Sequence, residues 1–139
     1  MEVQINFLAV FLAGVASMFV GFLWYGPYLF GNAWMKLMGH KEMTMDKSGL
    51  GKIYFISFLL SLLTAVVLTH SIAFGSYYMK ISGVSAGVQG AFWSWLGFVM
   101  PVQATDVLFG GKSWKLSKIN TGYQLASLLA MGAVLGYFG

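Results

Sequence analysis

The chain contains no cysteine and no arginine. The first absence excludes disulfides, thiolate catalysis and cysteine metal sites. Four carboxylates and two histidines, scattered over 139 residues at no ligand spacing, give no metal signal. There is no phosphate-binding loop, dinucleotide fingerprint, nucleophile elbow or pair of catalytic carboxylates. The sequence therefore reads as a non-enzyme without cofactor or metal. Charged residues make up 9% of the chain, against about 25% in an ordinary soluble domain. So few charges cannot cover a water-facing surface. What fills the chain instead is 58% hydrophobic residues, 17% aromatics and 18 glycines, with a mean hydropathy of +0.75. This composition predicts an all-α integral membrane protein, with the lipid bilayer as its first partner.

Four apolar stretches, about 5–25, 53–74, 84–104 and 119–138, are each long enough to cross a hydrocarbon core of about 30 Å at 1.5 Å per residue. They predict four transmembrane helices in a bundle, forming one domain over residues 1–139. The first stretch is read as a retained helix, because Met1-Glu2 opens the chain and no lysine precedes Lys36. Between the first two stretches, residues 28–38 place Leu29, Phe30, Ala33, Trp34, Leu37 and Met38 at helical spacing, which predicts a short interfacial helix. The following segment, with His40, Glu42 and Asp46, reads as a solvated loop.

Seven of the eight lysines fall in the first and third connections, leaving Lys80 alone in the second. Lysine-rich short loops stay in the cytoplasm, so both termini are expected to be extracytoplasmic, in a bacterial inner membrane. The +4 charge of those loops suits anionic headgroups and argues against a nucleic-acid partner.

Two halves of the chain share ordered blocks. Gly14 and Gly21-Phe22 recur as Gly90 and Gly97-Phe98; Leu29-Phe30-Gly31 with Trp34 recurs as Leu108-Phe109-Gly110 with Trp114; Ser61-Leu-Leu63 recurs as Ser127-Leu-Leu129. An even number of crossings separates them, so they predict two hairpins related as parallel repeats. Small residues recur at i+4 on each stretch: Ala9, Ala13, Ser17 and Gly21; Ser57, Ser61, Ala65 and Thr69; Ser82, Ala86, Gly90 and Ser94; Gly122, Ala126 and Ala130. Such rows admit close helix approach. Gly132 and Gly136 form a further pair on another face, expected to serve a contact between copies.

Asp106 is the one carboxylate near a predicted span besides Glu2, and with Gln103 and Thr105 it is a candidate proton or cation site; the bland alternative is interfacial pairing with Lys112. Asn120 and Gln124, with Gln89 on the preceding helix, are candidates for a polar cavity or simply for interhelical hydrogen bonds. His70 is a candidate titrating group or an interfacial histidine. Trp24, Tyr25, Trp34 and Trp114 read as an interfacial aromatic belt.

Asn6, Gly21-Phe-Leu-Trp24-Tyr25, Pro27, Leu29-Phe30-Gly31, Trp34-Met35, Trp95-Leu-Gly-Phe98 and Ile119-Asn120 with Gly122-Tyr123 resemble the bacterial family called domain of unknown function 1761. The resemblance covers nearly the whole chain and implies a small four-helix membrane protein, with no activity attached. Two functions are expected from all this: a small homo-oligomeric transporter or channel-like protein, or an accessory subunit docked in a larger membrane complex. Reporter fusions at Gly139 and near Asp46 are predicted to report opposite compartments, with Gly139 outside the cytoplasm; a cytoplasmic Gly139 would reverse the lysine argument.

Overall fold

The computed structural model describes residues 3–26, 29–38 and 50–139. Pro27, the interfacial start at Tyr28 and the polar loop with His40, Glu42 and Asp46 lie outside the described residues. Every regular element among the described residues is helical: α1 (Phe7–Trp24), α2 (Gly31–Met38), α3 (Leu50–Met79), α4 (Gly83–Ser94), α5 (Met100–Gly110) and α6 (Trp114–Phe138), with a π-helical turn over Trp95–Val99 joining α4 to α5. α3, the run from α4 through α5, and α6 extend past their apolar stretches on the polar flanks, as backbone hydrogen bonding continues wherever no breaker intervenes, whereas α1 stays within 5–25. The breakers are visible. Gly111 ends α5 in the left-handed region, and the Ser113 hydroxyl caps α6 by accepting from the Leu116 N–H.

Pro101 accounts for the π turn. It offers no N–H to the Gly97 carbonyl and its ring crowds that carbonyl. The Met100 N–H reaches back to the Trp95 carbonyl instead, five residues away, so the helical run continues from Gly83 to Gly110 with one wide turn.

Successive helices run antiparallel and close a ring in which α6 touches α4 and α1, α1 touches α3, and α3 touches α4. Asn6 clasps the ring at one end. Its side-chain oxygen accepts from the Leu8 and Ala9 N–H groups, capping α1, while its amide donates to the Phe138 carbonyl at 2.8 Å. The tightest contact is between α4 and α6. A Cβ on Gly87 would lie 1.8 Å from the Gly132 carbonyl oxygen, and one on Gly136 would lie 2.4 Å from that of Gly83. Here the two backbones touch.

This contact corrects the expectation for Gly132 and Gly136, which serve the inside of the chain rather than a second copy. In a ring each helix has two neighbours and needs two small-residue faces. Gly83, Gly87 and Ala91 face α6, whereas Gly90, one position before Ala91, packs against Ile72 of α3. The row on α1 holds as expected, with Ala9, Ala13 and Ser17 buried and Gly21 against Tyr123. Gly21 and Gly97, paired in the repeat, have different surroundings: nothing lies within 4 Å of a Cβ on Gly97. The π turn falls on Gly97 and displaces the register there.

The buried core is small: Ala9, Val10, Ala13, Ala65, Leu68, Ala91, Leu128, Met131 and Leu135. Large apolar side chains lie outside it, including Phe7, Phe19, Phe55, Leu63 and Phe74. Two helical segments, Phe7–Trp24 and Gly51–Met79, are long and apolar enough to cross a membrane, yet only 28% and 11% of their most apolar windows are buried. Gly87→Val is predicted to lower the melting temperature in detergent sharply, since overpacking costs about 1–3 kcal/mol and here it meets backbone. Gly97→Ala, which meets open space, should be nearly silent.

Candidate functional site

Asp106 stands at the surface, paired with Lys112 at 2.5 Å, both side chains about half exposed. Thr105 spends its hydroxyl on the Pro101 carbonyl one turn back, at 2.8 Å. Gln103 lies half-buried on the same helix. These residues therefore do not form the internal ion site that their sequence position allowed. The reason is geometric: Asp106 lies in the last turns of α5, from which a carboxylate reaches both water and Lys112. His70 likewise bonds along its own helix, from Nδ1 to the Val66 carbonyl at 2.9 Å, beside the Phe74 ring.

Gln89 does not meet Asn120 or Gln124. Its amide donates to Ser85 on its own helix at 3.0 Å, on the side of α4 turned to α3. Asn120 instead accepts the Tyr25 hydroxyl at 2.6 Å. Gln124 lines an internal cleft between α1, α3 and α6, of about 280 Å³. Hydroxyls dominate its walls. Ser17 and Ser127, each 4% exposed, share a 2.7 Å hydrogen bond, and Ser61 donates to the Ser57 carbonyl at 3.0 Å while lying 3.4 Å from Ser17.

This cleft adjoins a second one of about 420 Å³ through shared walls at Met18, Ser57 and Tyr123. The second is aromatic. Phe22 and Tyr25 come from α1 and its end, Tyr54 from α3, and Tyr123 from α6; Phe22 and Tyr54 rings lie 5.5 Å apart, Tyr25 and Tyr123 rings 5.2 Å. Tyr25 lies just past the end of α1. Burial, and secondarily the neighbouring Tyr123, push its phenol up to about 12, so it remains a donor to Asn120. A third cleft, of about 230 Å³, opens at the opposite end among Gln4, Asn6, Thr69, Ser76 and Ser82. Between the two ends lies the apolar core. Its α6 members follow the hydroxyl row at helical spacing: Ser127, then Met131, then Leu135. Met131 bounds one cleft and Leu135 the other, about 6 Å apart along the helix axis.

The aromatic residues expected as a belt do more than meet the interface. The Trp24 indole donates to the Ile119 carbonyl at 2.9 Å and lies against Gly122; the Trp95 indole, at the start of the π turn, donates to the Thr121 carbonyl at 2.9 Å. Both pin α6. Trp34 stacks edge-on with Tyr25 at 5.5 Å, seating α2 on this end. The chain reaches α2 through a tight turn in which Gly31 N–H bonds the Gly26 carbonyl and a Cβ on Gly31 would lie 2.3 Å from the Tyr25 carbonyl oxygen. Trp114 alone of the four stays largely exposed.

The sequence reading missed Ser127, Tyr54 and Tyr123 as site residues. The signal was present as the stripe Asn120, Tyr123, Gln124, Ser127, Met131 and Leu135 at three- and four-residue spacing. The row of small residues beginning at Gly122 drew attention to a different face. Among the described residues no group of three or more histidines or carboxylates is placed to hold a metal.

The family described as protein of unknown function (DUF1761) matches residues 8–136. The chain belongs to that family. No curated protein and no solved structure matches it. In this DUF1761 chain, Trp24 pins α6 through the Ile119 carbonyl and Trp34 seats α2 against Tyr25, beside the aromatic cleft. Asp106→Asn is predicted to change unfolding in detergent by less than about 1 kcal/mol, as for other exposed pairs. Tyr25→Phe should cost about 1 kcal/mol through loss of the Asn120 bond, so chemical or thermal unfolding of the two variants ranks them.

Proposed function

We propose that this chain is an integral membrane protein with four crossings, formed by α1, α3, the run from α4 through α5, and α6, and that it works as a small transporter or channel-like protein. The bilayer reading is supported by an inverted distribution of polarity. Apolar side chains crowd the outside, whereas the fully buried side chains include Ser17 and Ser127, and serines, tyrosines and an amide line the half-open clefts between helices. A soluble core helix would be mostly buried, and the two most apolar segments are not. The two antiparallel hairpins, α1 with α3 and α4–α5 with α6, fit a duplicated hairpin, with the π turn offsetting residue-level equivalence in the second copy.

Orientation follows the same way. Lys36, Lys52, Lys112, Lys115 and Lys118 lie at the end where α2, the start of α3 and the start of α6 meet, and Lys80 lies at the other. That split supports a cytoplasmic aromatic end, an inner-membrane location and extracytoplasmic termini.

One observation carries the transport reading: clefts that hold hydroxyls and amides in partly apolar walls lie towards opposite ends, separated by an apolar plug centred on Met131, which is 1% exposed. This is the layout of a passage held shut, and it lies within one chain. The lining supplies hydroxyls and amides, so the reading is of binding and passage without catalysis. Gly132 and Gly136, being occupied internally, no longer support assembly of copies. The accessory-subunit alternative rests on the apolar exterior, which lipid accounts for equally. In reconstituted liposomes, Met131→Ala is predicted to raise permeability to a small uncharged solute severalfold, with Met131→Leu as tight as wild type. A folded Met131→Ala protein that leaks no more than wild type would overturn the passage reading, and purification as a stoichiometric part of a larger complex would favour the alternative.

A further inference from the structure

We infer that the aromatic cleft at the α1, α3 and α6 end is a binding site for an organic cation of diffuse charge, a quaternary ammonium or a similar alkylated onium group. The proposal rests on the reading of this cleft as open to a solute, and names the chemistry of that solute. Four rings from three helices, Phe22, Tyr25, Tyr54 and Tyr123, line one space of about 420 Å³ together with Met18 and Ser57. Among the described residues, no charged side chain lines it. Tyr25 and Tyr123 are half-buried at its back, and Phe22 and Tyr54 stand exposed at its mouth; the negative face of each ring attracts a cation. Several rings around one cavity can therefore hold a positive charge that has no carboxylate to pair with.

The same walls disfavour the alternatives. An inorganic cation needs a shell of oxygens that commonly includes carboxylates, and the described lining holds none. An anion would find no positive group among the described residues of the lining. Lys52, the nearest basic residue in sequence to Tyr54, is exposed on the first turn of α3, where solvent and salt screen it. A compact ammonium such as a lysine side chain keeps a strong hydration shell, which this lining does not replace. An alkylated cation carries little hydration and fits the apolar, polarizable surroundings that the rings and the Met18 thioether provide. Gly21 belongs to the same construction, since a Cβ there would approach the Tyr123 hydroxyl at 3.3 Å and press it out of place.

The test uses the full chain purified in maltoside micelles, which contain no choline. Benzyltrimethylammonium is measured by equilibrium dialysis against neopentylbenzene, its uncharged carbon isostere. Saturable binding of the cation at least about tenfold tighter than the isostere is expected, the size of one good cation–ring contact. Tyr54→Leu should weaken the cation about tenfold, while Tyr54→Phe, which keeps the ring, should bind like wild type. Helical circular dichroism and elution volume report folding of both variants. Displacement by dihexanoylphosphatidylcholine would assign the bound group to a lipid headgroup, and failure of that lipid to displace would assign it to a free solute; either result supports the site. Equal affinity for the neutral isostere, or a folded Tyr54→Leu protein that binds the cation unchanged, overturns it. Cation-selective binding in a protein whose Met131→Ala variant leaks nothing would keep the site and discard the passage, and leakage without cation preference would do the reverse.

Discussion

The backbone contact between Gly87 and Gly132 sets the position of everything else. In a bilayer, the setting proposed for this chain, apolar burial does little to bring helices together, so association there rests on how closely two backbones approach. Gly83 and Gly87 on α4 and Gly132 and Gly136 on α6 allow an approach that any side chain would block. With α4 held there, α6 becomes the helix shared by the rest. Its other faces receive α1, the indoles of Trp24 and Trp95, and the short α2. The stripe from Asn120 to Leu135 is thereby turned inward, and the clefts inherit its chemistry.

That stripe changes character along its length. At one end it offers an amide and a phenol, in the middle a serine, and beyond that a thioether and a leucine. Each polar member has a partner on a neighbouring helix or bounds a cleft, so the cost of polar groups at depth is offset by hydrogen bonds. The serine cluster of Ser17, Ser61 and Ser127 marks where the interior turns from polar to apolar. No buried side-chain nitrogen or oxygen among the described residues lacks a partner.

Much of the helical layout was legible, because an unbroken apolar run of this length satisfies its own backbone hydrogen bonds most simply as a helix. Each predicted stretch falls on a helix, and the small-residue row of α1 is buried as read. What the sequence hid was direction. Gly132 and Gly136 looked spare only because the pairing of faces around a ring is not written in any one helix. Gln89 looked able to meet Asn120, but the rotation of α4 set by its glycines turns it towards α3. Asp106 was ambiguous for a different reason: depth along a helix end is decided by a turn or two, and here Lys112 sits within reach. The tyrosines of the aromatic cleft were legible individually as interfacial residues; their convergence from three helices required the fold.

The wide turn over Trp95–Val99 has a bearing on how this chain can vary. A π turn accommodates one residue more than an α turn, so the faces of α4 and α5 are out of phase by about 100°, the angle one residue subtends. Val107, the one buried residue of α5, lies beyond the wide turn and takes its direction from that offset. Loss of a single residue here would draw the run back towards α-helical spacing, with Pro101 still lacking its N–H, and its second half would present the wrong side to its neighbours. The segment thus tolerates exchange of side chains far better than a change in count, and Pro101 acts as the length marker that keeps the two halves of the helix in their separate registers.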